Sequence, residues 1–330
     1  MNHREFHSLG RNVSEVGLGT WQLGGAEWGD VPENQAIETL QAAAESGVTF
    51  IDTADIYGSG RSETLIGKFL SNRTDREAFT VVTKFGRGSD PGWPDNFKHE
   101  NLVAHAEDSI RRLGVDALDL TQTHCVPSEY LDDGSVWETM RSLVKQGKIK
   151  SFGASVESMD EAVECLNVDG LGSLQIIFNV FRQKPIDDLF AKAAEKQVAL
   201  IVRLPLASGL LAGKFSAEST FGEKDHRSFN ADGDAFNVGE TFAGLGLEKG
   251  TQLADLLKKY VPDNATMAQW ALRWCLDFPE VTTVIPGATR SEQAVSNAAA
   301  SDLESLPESV HAELREFYKE QVEPFVRGKY

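Results

Sequence analysis

Along this chain, helix-period stretches alternate with short apolar runs. Residues 32–46 predict a helix that ends at Gly47, and Val48-Thr49-Phe50-Ile51 behind it predicts a strand. The unit then recurs, with a helix over 62–70 before a strand over 79–84. A helix over 101–113, closed by Gly114, precedes a strand over 118–122, and one over 135–146, closed by Gly147, precedes a strand over 149–152. Helices over 159–167 and 186–196 lead into strands over 173–178 and 199–204. A last strand, 281–285, runs into a helix over 291–300. Upstream, residues 6–16 predict a short hairpin turning at Leu9-Gly10-Arg11-Asn12, and Gly17-Leu18-Gly19-Thr20-Trp21 supplies the first strand. Residues 216–250 carry no such pattern and many Gly, Asp and Phe, which predicts a lid or rim loop after the seventh strand.

Strands that alternate with helices imply a parallel sheet with right-handed crossovers. Eight such units in 330 residues predict an α/β protein with a closed (β/α)8 TIM barrel, one domain over 1–330, rather than an open doubly wound sheet. Composition fits a large core, with 41% hydrophobic and 25% charged residues. The balance of 32 basic against 50 acidic residues, a net charge of −18, repels phosphate backbones and anionic membranes, and no Lys/Arg run offsets it. No nucleic-acid or membrane partner is expected. The apolar run over 199–211 is broken by Arg203 and is short of the roughly 20 residues of a membrane span. Met1-Asn2-His3-Arg4-Glu5 has no apolar signal segment behind it. Three scattered cysteines without CxxC, and seven histidines without HxH or HExxH, predict no disulfide framework and no metal. The expectation is a soluble protein of the reducing cytoplasm, with oligomeric state left open.

In a barrel of this kind the chemistry gathers at the C-terminal ends of the strands. Four reactive side chains fall there: Asp52 after Phe50-Ile51, Tyr57 in the same loop, Lys84 at the end of the next strand, and His124 at the end of the one after. Singly, each has a structural explanation; together they form a proton-delivery set. A tyrosine ordinarily holds its proton to about pH 10, and a nearby ammonium is expected to lower that value while a carboxylate fixes the ammonium. A neutral histidine can donate a hydrogen bond to a substrate carbonyl oxygen. Such a set protonates an oxyanion as hydride reaches carbon, and hydride requires a cofactor.

Several motifs around these residues resemble the aldo-keto reductases. They include Phe50-Ile51-Asp52-Thr53-Ala54-Asp55-Ile56-Tyr57-Gly58, Val82-Thr83-Lys84-Phe85-Gly86, Asp119-Leu120-Thr121-Gln122-Thr123-His124 and Gly153-Ala154-Ser155. Further matches are Leu174-Gln175-Ile176-Ile177-Phe178-Asn179, Pro205-Leu206-Ala207-Ser208-Gly209 through Lys214, and Ile285-Pro286-Gly287-Ala288-Thr289-Arg290 through Asn297. The resemblance implies an NAD(P)H-dependent oxidoreductase acting on a small-molecule carbonyl or alcohol. Tyr57 would be the general acid, Lys84 its partner, Asp52 the partner of Lys84, and His124 the carbonyl-orienting donor. Cofactor contacts are implied at Gly19, Thr20, Trp21 and Asp52, with Ser155 and Gln175 on the nicotinamide carboxamide. Leu206 and Ser208 would meet the pyrophosphate within a segment that includes Pro205, Gly209 and Lys214. Gly287, Thr289, Arg290, Gln293 and Asn297 would meet the adenosine end at a helix N-terminus.

The chain departs from the family pattern in places. Arg203 stands where many members stack an aromatic ring on the nicotinamide, and it either stacks in turn or forms a salt bridge inside the barrel. Gly287 and Gln293 replace two cations that read the 2′-phosphate in the best-known branch, while Arg290 supplies one, so NADP(H) is favoured and NAD(H) is the alternative. Trp21, Trp28, Phe85 and Trp93 are candidate pocket walls. Gly86-Arg87-Gly88 lacks the rest of a dinucleotide fingerprint. A regulatory subunit of the same fold, binding cofactor with little turnover, is the competing reading.

Overall fold

The computed structural model describes residues 1–25, 28, 31–88 and 90–330. Strands β1 (His3–Phe6) and β2 (Arg11–Ser14) form an antiparallel hairpin. Eight parallel strands follow: β3 (Leu18–Gly19), β4 (Phe50–Asp52), β5 (Thr80–Phe85), β6 (Leu118–His124), β7 (Ile149–Ser155), β8 (Leu171–Ile177), β9 (Ala199–Arg203) and β10 (Val281–Val284). Each pairs with its sequence neighbours, and the parallel bridges Val16 to Val284 and Gly19 to Gly287 bring the first edge to the last. Gly17 N–H donates to the Val284 carbonyl at 2.8 Å and Gly19 N–H to that of Pro286 at 3.1 Å. This is the expected TIM barrel.

The strands are apolar on both faces because one face lines the barrel and the other is covered by helices. Inside, Phe50, Val82, Leu120, Ala199, Ile201 and Ile285 pack on one another and on Phe6 and Val13 of the hairpin. The hairpin therefore stoppers the N-terminal end, and Asp52, Lys84 and His124 sit towards the other end. On the outside, helix Ser135–Lys145 buries Val136, Trp137, Met140 and Leu143, and helix His99–Leu113 buries Leu102, Ala106 and Leu113. No helix among the described residues is long and apolar enough to cross a membrane.

Some boundaries differ from the sequence expectation. The first barrel strand keeps only Leu18–Gly19, because Thr20 turns the chain into the short helix Trp21–Gly24. The helix expected over 186–196 is split into Pro185–Asp188 and Phe190–Glu195 at Leu189, whose φ of −124° leaves the helical range. The irregular segment ends earlier than expected, since helix Leu247–Leu257 begins inside it. Helix Met267–Leu276, opened by a Thr266–Gln269 capping box, and helix Glu308–Phe317 complete the shell.

Barrel closure depends on Gly19. A β-carbon there would lie 2.7 Å from the Ile285 carbonyl oxygen, a backbone atom that cannot swing aside. Gly19→Ala is expected to destabilise the protein by about 1–3 kcal/mol, read as a lowered denaturant midpoint. An unchanged midpoint would mean that the seam between β3 and β10 is not tight.

Candidate active site

Asp52 ends β4, Lys84 is the penultimate residue of β5 and His124 ends β6, so three candidate side chains stand at the C-terminal ends of neighbouring strands. Tyr57 is supplied by the loop after β4. That loop passes so close to the first βα loop that a side chain at Gly58, whose φ is +60°, would overlap the Gly24 carbonyl. Lys84 Nζ donates to Asp52 Oδ1 at 2.7 Å, to the Thr53 carbonyl at 2.8 Å and to Tyr57 Oη at 3.3 Å. Three acceptors match the three donors of an ammonium. The second Asp52 oxygen accepts from Gln175 Nε2 at 2.7 Å, and Gln175 Nε2 also donates to Gln122 Oε1 at 3.1 Å. Tyr57 meets the His124 ring edge to face, with centroids 5.7 Å apart, and Trp21 stacks over Tyr57 at 6.1 Å.

Burial dominates the proton affinities. It pushes Asp52 up and Lys84 down, and each is pulled back by the other's charge. His124 is held well below its usual value by burial and then by the charges of Arg87, Lys84 and Arg203, so its ring is neutral. The expectation for Tyr57 is reversed. Burial and the Asp52 carboxylate raise the phenol well above its ordinary value, and Arg87 and Arg203 only partly oppose them. The phenol keeps its proton while its oxygen accepts from Lys84.

Three of the four residues open onto a cavity of about 1120 Å³. Asp52, Tyr57 and His124 line it, as do Gly19, Trp21, Gln175 and Arg203. Pro205, Leu206, Ser208, Gly209, Lys214, Gly287, Thr289, Arg290 and Gln293 line it too. Four expected residues are not part of the lining. Lys84 lies behind Asp52 and Tyr57, and Thr20 is buried with its hydroxyl donating to the Asp52 carbonyl at 2.7 Å. Ser155 sits against Cys125, Oγ to Sγ 3.5 Å, and Asn297 donates to the Gly287 carbonyl at 3.3 Å. Among the candidate walls, Trp21, Trp28 and Trp93 are present, whereas Phe85 is buried and stacks on His105. Arg203 takes the salt-bridge course, with Nη1 3.4 Å from Glu240.

Sequence reasoning missed Glu240, Glu157 and the role of Arg87. Arg87 Nη2 lies 2.7 Å from Glu240 Oε1 and 3.1 Å from Glu157 Oε1. Glu240 is held from its usual value near 4.5 down to about 2 by Arg87 and Arg203 against the opposing effect of burial. The stabilisation from this ionisation is therefore complete above about pH 4.5 and lost as pH falls towards 2. Glu157, Glu240 and Cys125 are the cluster with metal-ligand potential among the described residues, and arginine engages both carboxylates. Position alone betrayed Arg87, three residues beyond Lys84; Glu240 comes from a segment without periodicity and left no signal.

Similarity to known proteins agrees with this geometry. The model of the Aldo/keto reductase family matches residues 15–319. The aldo-keto reductase YhdN of Bacillus subtilis (strain 168) is 30% identical over 298 residues, spanning 89% of this chain and 86% of that protein. The NADH-specific methylglyoxal reductase of Escherichia coli (strain K12) is 28% identical over 310 residues, 88% of this chain and 90% of that protein. The glycerol dehydrogenase AKR11B4 of Gluconobacter oxydans superposes with a TM-score of 0.79 at 26% identity, covering 97% of this chain and 96% of that one.

Removing one partner of a buried ion pair strands the other charge, so Lys84→Met is expected to destabilise the protein by about 3–5 kcal/mol. Asp52→Asn in the same chain is expected to restore most of that loss. Urea denaturation of the single and double variants tests the pair, and a double variant no more stable than Lys84→Met would refute it.

Proposed function

The chain belongs to the aldo/keto reductase family, an oxidoreductase family, and from that premise we propose that it reduces an aldehyde, ketone or sugar-like carbonyl to the alcohol, or runs the reverse reaction, with Tyr57 as general acid and base. The observation that carries this reading is the contact of Lys84 with both Asp52 and Tyr57 beside a neutral His124 in one cavity.

The cavity fits a nicotinamide coenzyme. Among the described residues Lys214 and Arg290 have no ion-pair partner, and both line the cavity, where phosphate would need them. The buried Oε1 of Gln22, beside Gly287, has no hydrogen-bond donor and suits a ribose hydroxyl. Trp21 and Gln175 would hold the nicotinamide end, and the turn from Leu206 to Gly209 the pyrophosphate, the Ser208 hydroxyl being engaged with Glu240 and Phe242. Bound there, the coenzyme supplies or accepts the hydride.

The chain's own residues manage the proton. Burial keeps the Tyr57 phenol protonated through neutral pH, ready to meet a carbonyl oxygen that is gaining charge. Once the proton has left, the Lys84 ammonium at 3.3 Å compensates the phenolate, and Asp52 keeps Lys84 in place. The neutral His124 donates a hydrogen bond that orients the carbonyl, and the indoles of Trp21 and Trp28 keep water away. The names of two relatives, a methylglyoxal reductase and a glycerol dehydrogenase, support small carbonyls and polyols as the first substrates to try.

Tyr57→Phe is expected to lower carbonyl reduction by at least ~10²–10⁴-fold, the usual worth of a general acid, while coenzyme binding is retained. Because the phenol is held protonated, wild-type reduction should stay level through neutral pH and alcohol oxidation should rise as pH rises. Steady-state rates with methylglyoxal, glyceraldehyde and glycerol test both points. Near-wild-type turnover by Tyr57→Phe removes the residue from its role, and coenzyme binding without turnover of any carbonyl favours the regulatory reading.

Coenzyme choice turns on Arg290, the one cation between Val281 and Ala300. A guanidinium pairs with a phosphate through charge-assisted hydrogen bonds, so NADPH is expected to bind more tightly than NADH. Arg290→Ala is expected to narrow the gap by weakening NADPH. The NADH-specific relative and the missing cations at Gly287 and Gln293 make the preference small. Fluorescence titration of both coenzymes decides it, and a variant that keeps the full preference would clear Arg290 of the role.

A further inference from the structure

Glu240 lines the catalytic cavity, yet the proton chemistry above does not use it. It is 3% exposed and ends the short 3-10 turn Val238–Glu240 in the segment after β9. Its place is set by the backbone as well as by its charge. Ser208 Oγ donates to the Glu240 carbonyl at 2.9 Å, and Phe242 N–H donates to Ser208 Oγ at 3.1 Å. The carboxylate meets two guanidinium groups, Arg87 at 2.7 Å and Arg203 at 3.4 Å. Arg87 follows the end of β5. Arg203 ends β9 and donates to the Val156 carbonyl at 3.0 Å and to Cys125 Sγ at 3.4 Å, directly after His124 in the chain. Both arginines line the same cavity as Tyr57 and His124.

Two guanidinium groups converging on one cavity wall form a carboxylate receptor, because their planar forks match a carboxylate's paired oxygens. Glu240 already occupies that receptor, and Glu157 takes a second share of Arg87. Two cations and two anions cancel here. Lys214 and Arg290, which line the same cavity, have no such partner among the described residues. Positive charge is thus available for phosphates and compensated where the carbonyl reacts.

We propose that Glu240 is a specificity-determining residue: as the resident counter-ion of Arg87 and Arg203 it denies this guanidinium pair to substrate carboxylates, and the cavity selects uncharged carbonyls over oxo acids. The proposal rests on the reductase reading for its substrate consequence, and on the ion pairs alone for its binding consequence. A substrate carboxylate must either displace an anchored, ionised Glu240 or lie against its negative charge. Both courses disfavour an oxo acid, while the indoles of Trp21 and Trp28 and the ring of Phe236 accept an uncharged one.

Methylglyoxal and glyoxylate share an aldehyde and a similar size, and differ in an acetyl group against a carboxylate. Wild type is expected to favour methylglyoxal in kcat/KM, and Glu240→Gln to lower that preference by roughly 10–100-fold, the worth of one freed charge-assisted hydrogen bond. A second arm needs no turnover: acetate is titrated into coenzyme-free protein, followed by the emission of Trp21, Trp28 and Trp93, which line the cavity. Glu240→Gln is expected to bind acetate at least about tenfold more tightly than wild type, by the same reasoning. The double variant Glu240→Gln, Arg87→Gln is expected to lose the gain. If Glu240→Gln does not fold, Glu240→Asp, which reaches less far towards the guanidiniums, replaces it and should show a smaller gain. Equal acetate affinity in wild type and variant, or a gain that survives the loss of Arg87, overturns the proposal. If wild type reduces no carbonyl, the reductase reading fails, and the acetate titration still decides the role of Glu240.

Discussion

A lysine and an aspartate, both almost wholly buried, are held 2.7 Å apart at the mouth of the barrel, and the rest of the site is arranged around them. Each ion costs several kcal/mol to desolvate, and an apolar pair of the same volume would often be more stable. The pair is tolerable because every remaining bond is made. Lys84 gives its other hydrogens to Thr53 and Tyr57, and the second Asp52 oxygen receives Gln175. The barrel can carry this expense because its opposite end is apolar: Phe6 and Val13 of the hairpin plug a core of Phe50, Val82, Leu120 and Ile201. Stability is concentrated at one end and reactivity at the other.

The same pair bears on the proton of Tyr57. A lysine beside a tyrosine suggests a lowered phenol pKa, but burial and the Asp52 charge push the other way and prevail. In the role proposed for Tyr57, Lys84 would contribute after the proton has gone, when the phenolate at 3.3 Å would need compensation. A phenol that holds its proton and a cation that supports its conjugate base are complementary halves of one device.

How much of this was legible in the sequence follows from where the information lies. Strand ends are marked by local pattern, so Asp52, Lys84 and His124 could be placed at the ends of adjacent barrel strands from the sequence. Tyr57 came with them because its loop is short. What pattern could not show was contact made across the barrel. Thr20 lies on the expected first strand and Ser155 ends β7, three residues past the expected limit, yet their hydroxyls turn into the protein, towards the Asp52 carbonyl and Cys125. Asn297 spends its amide on the Gly287 carbonyl. Arg203 could be narrowed only to stacking or a salt bridge, because the choice depends on Glu240, and no local rule places a residue from an aperiodic segment opposite β9. Two-residue β3 is too short to be bounded by hydrophobic pattern; its limits are set by the seam with β10.

The segment after β9 therefore does more than cover the cavity. It is irregular because its side chains answer to distant partners rather than to neighbours along the chain. Asp225 caps a short helix and pairs with Arg227, whose guanidinium lies over the rings of Trp28 and Phe221. Glu240 reaches the ends of β5 and β9 through Arg87 and Arg203. Arg327 donates to the Gly244 carbonyl at 3.0 Å and pairs with Asp232, so the C-terminal residues fasten the segment from outside. A loop tied at so many points presents Phe236, Asn237 and Glu240 to the cavity as fixed walls. In a fold whose barrel supplies the reaction, selectivity can then reside in a loop without repeat or period, provided that each wall residue is fastened to the barrel it faces.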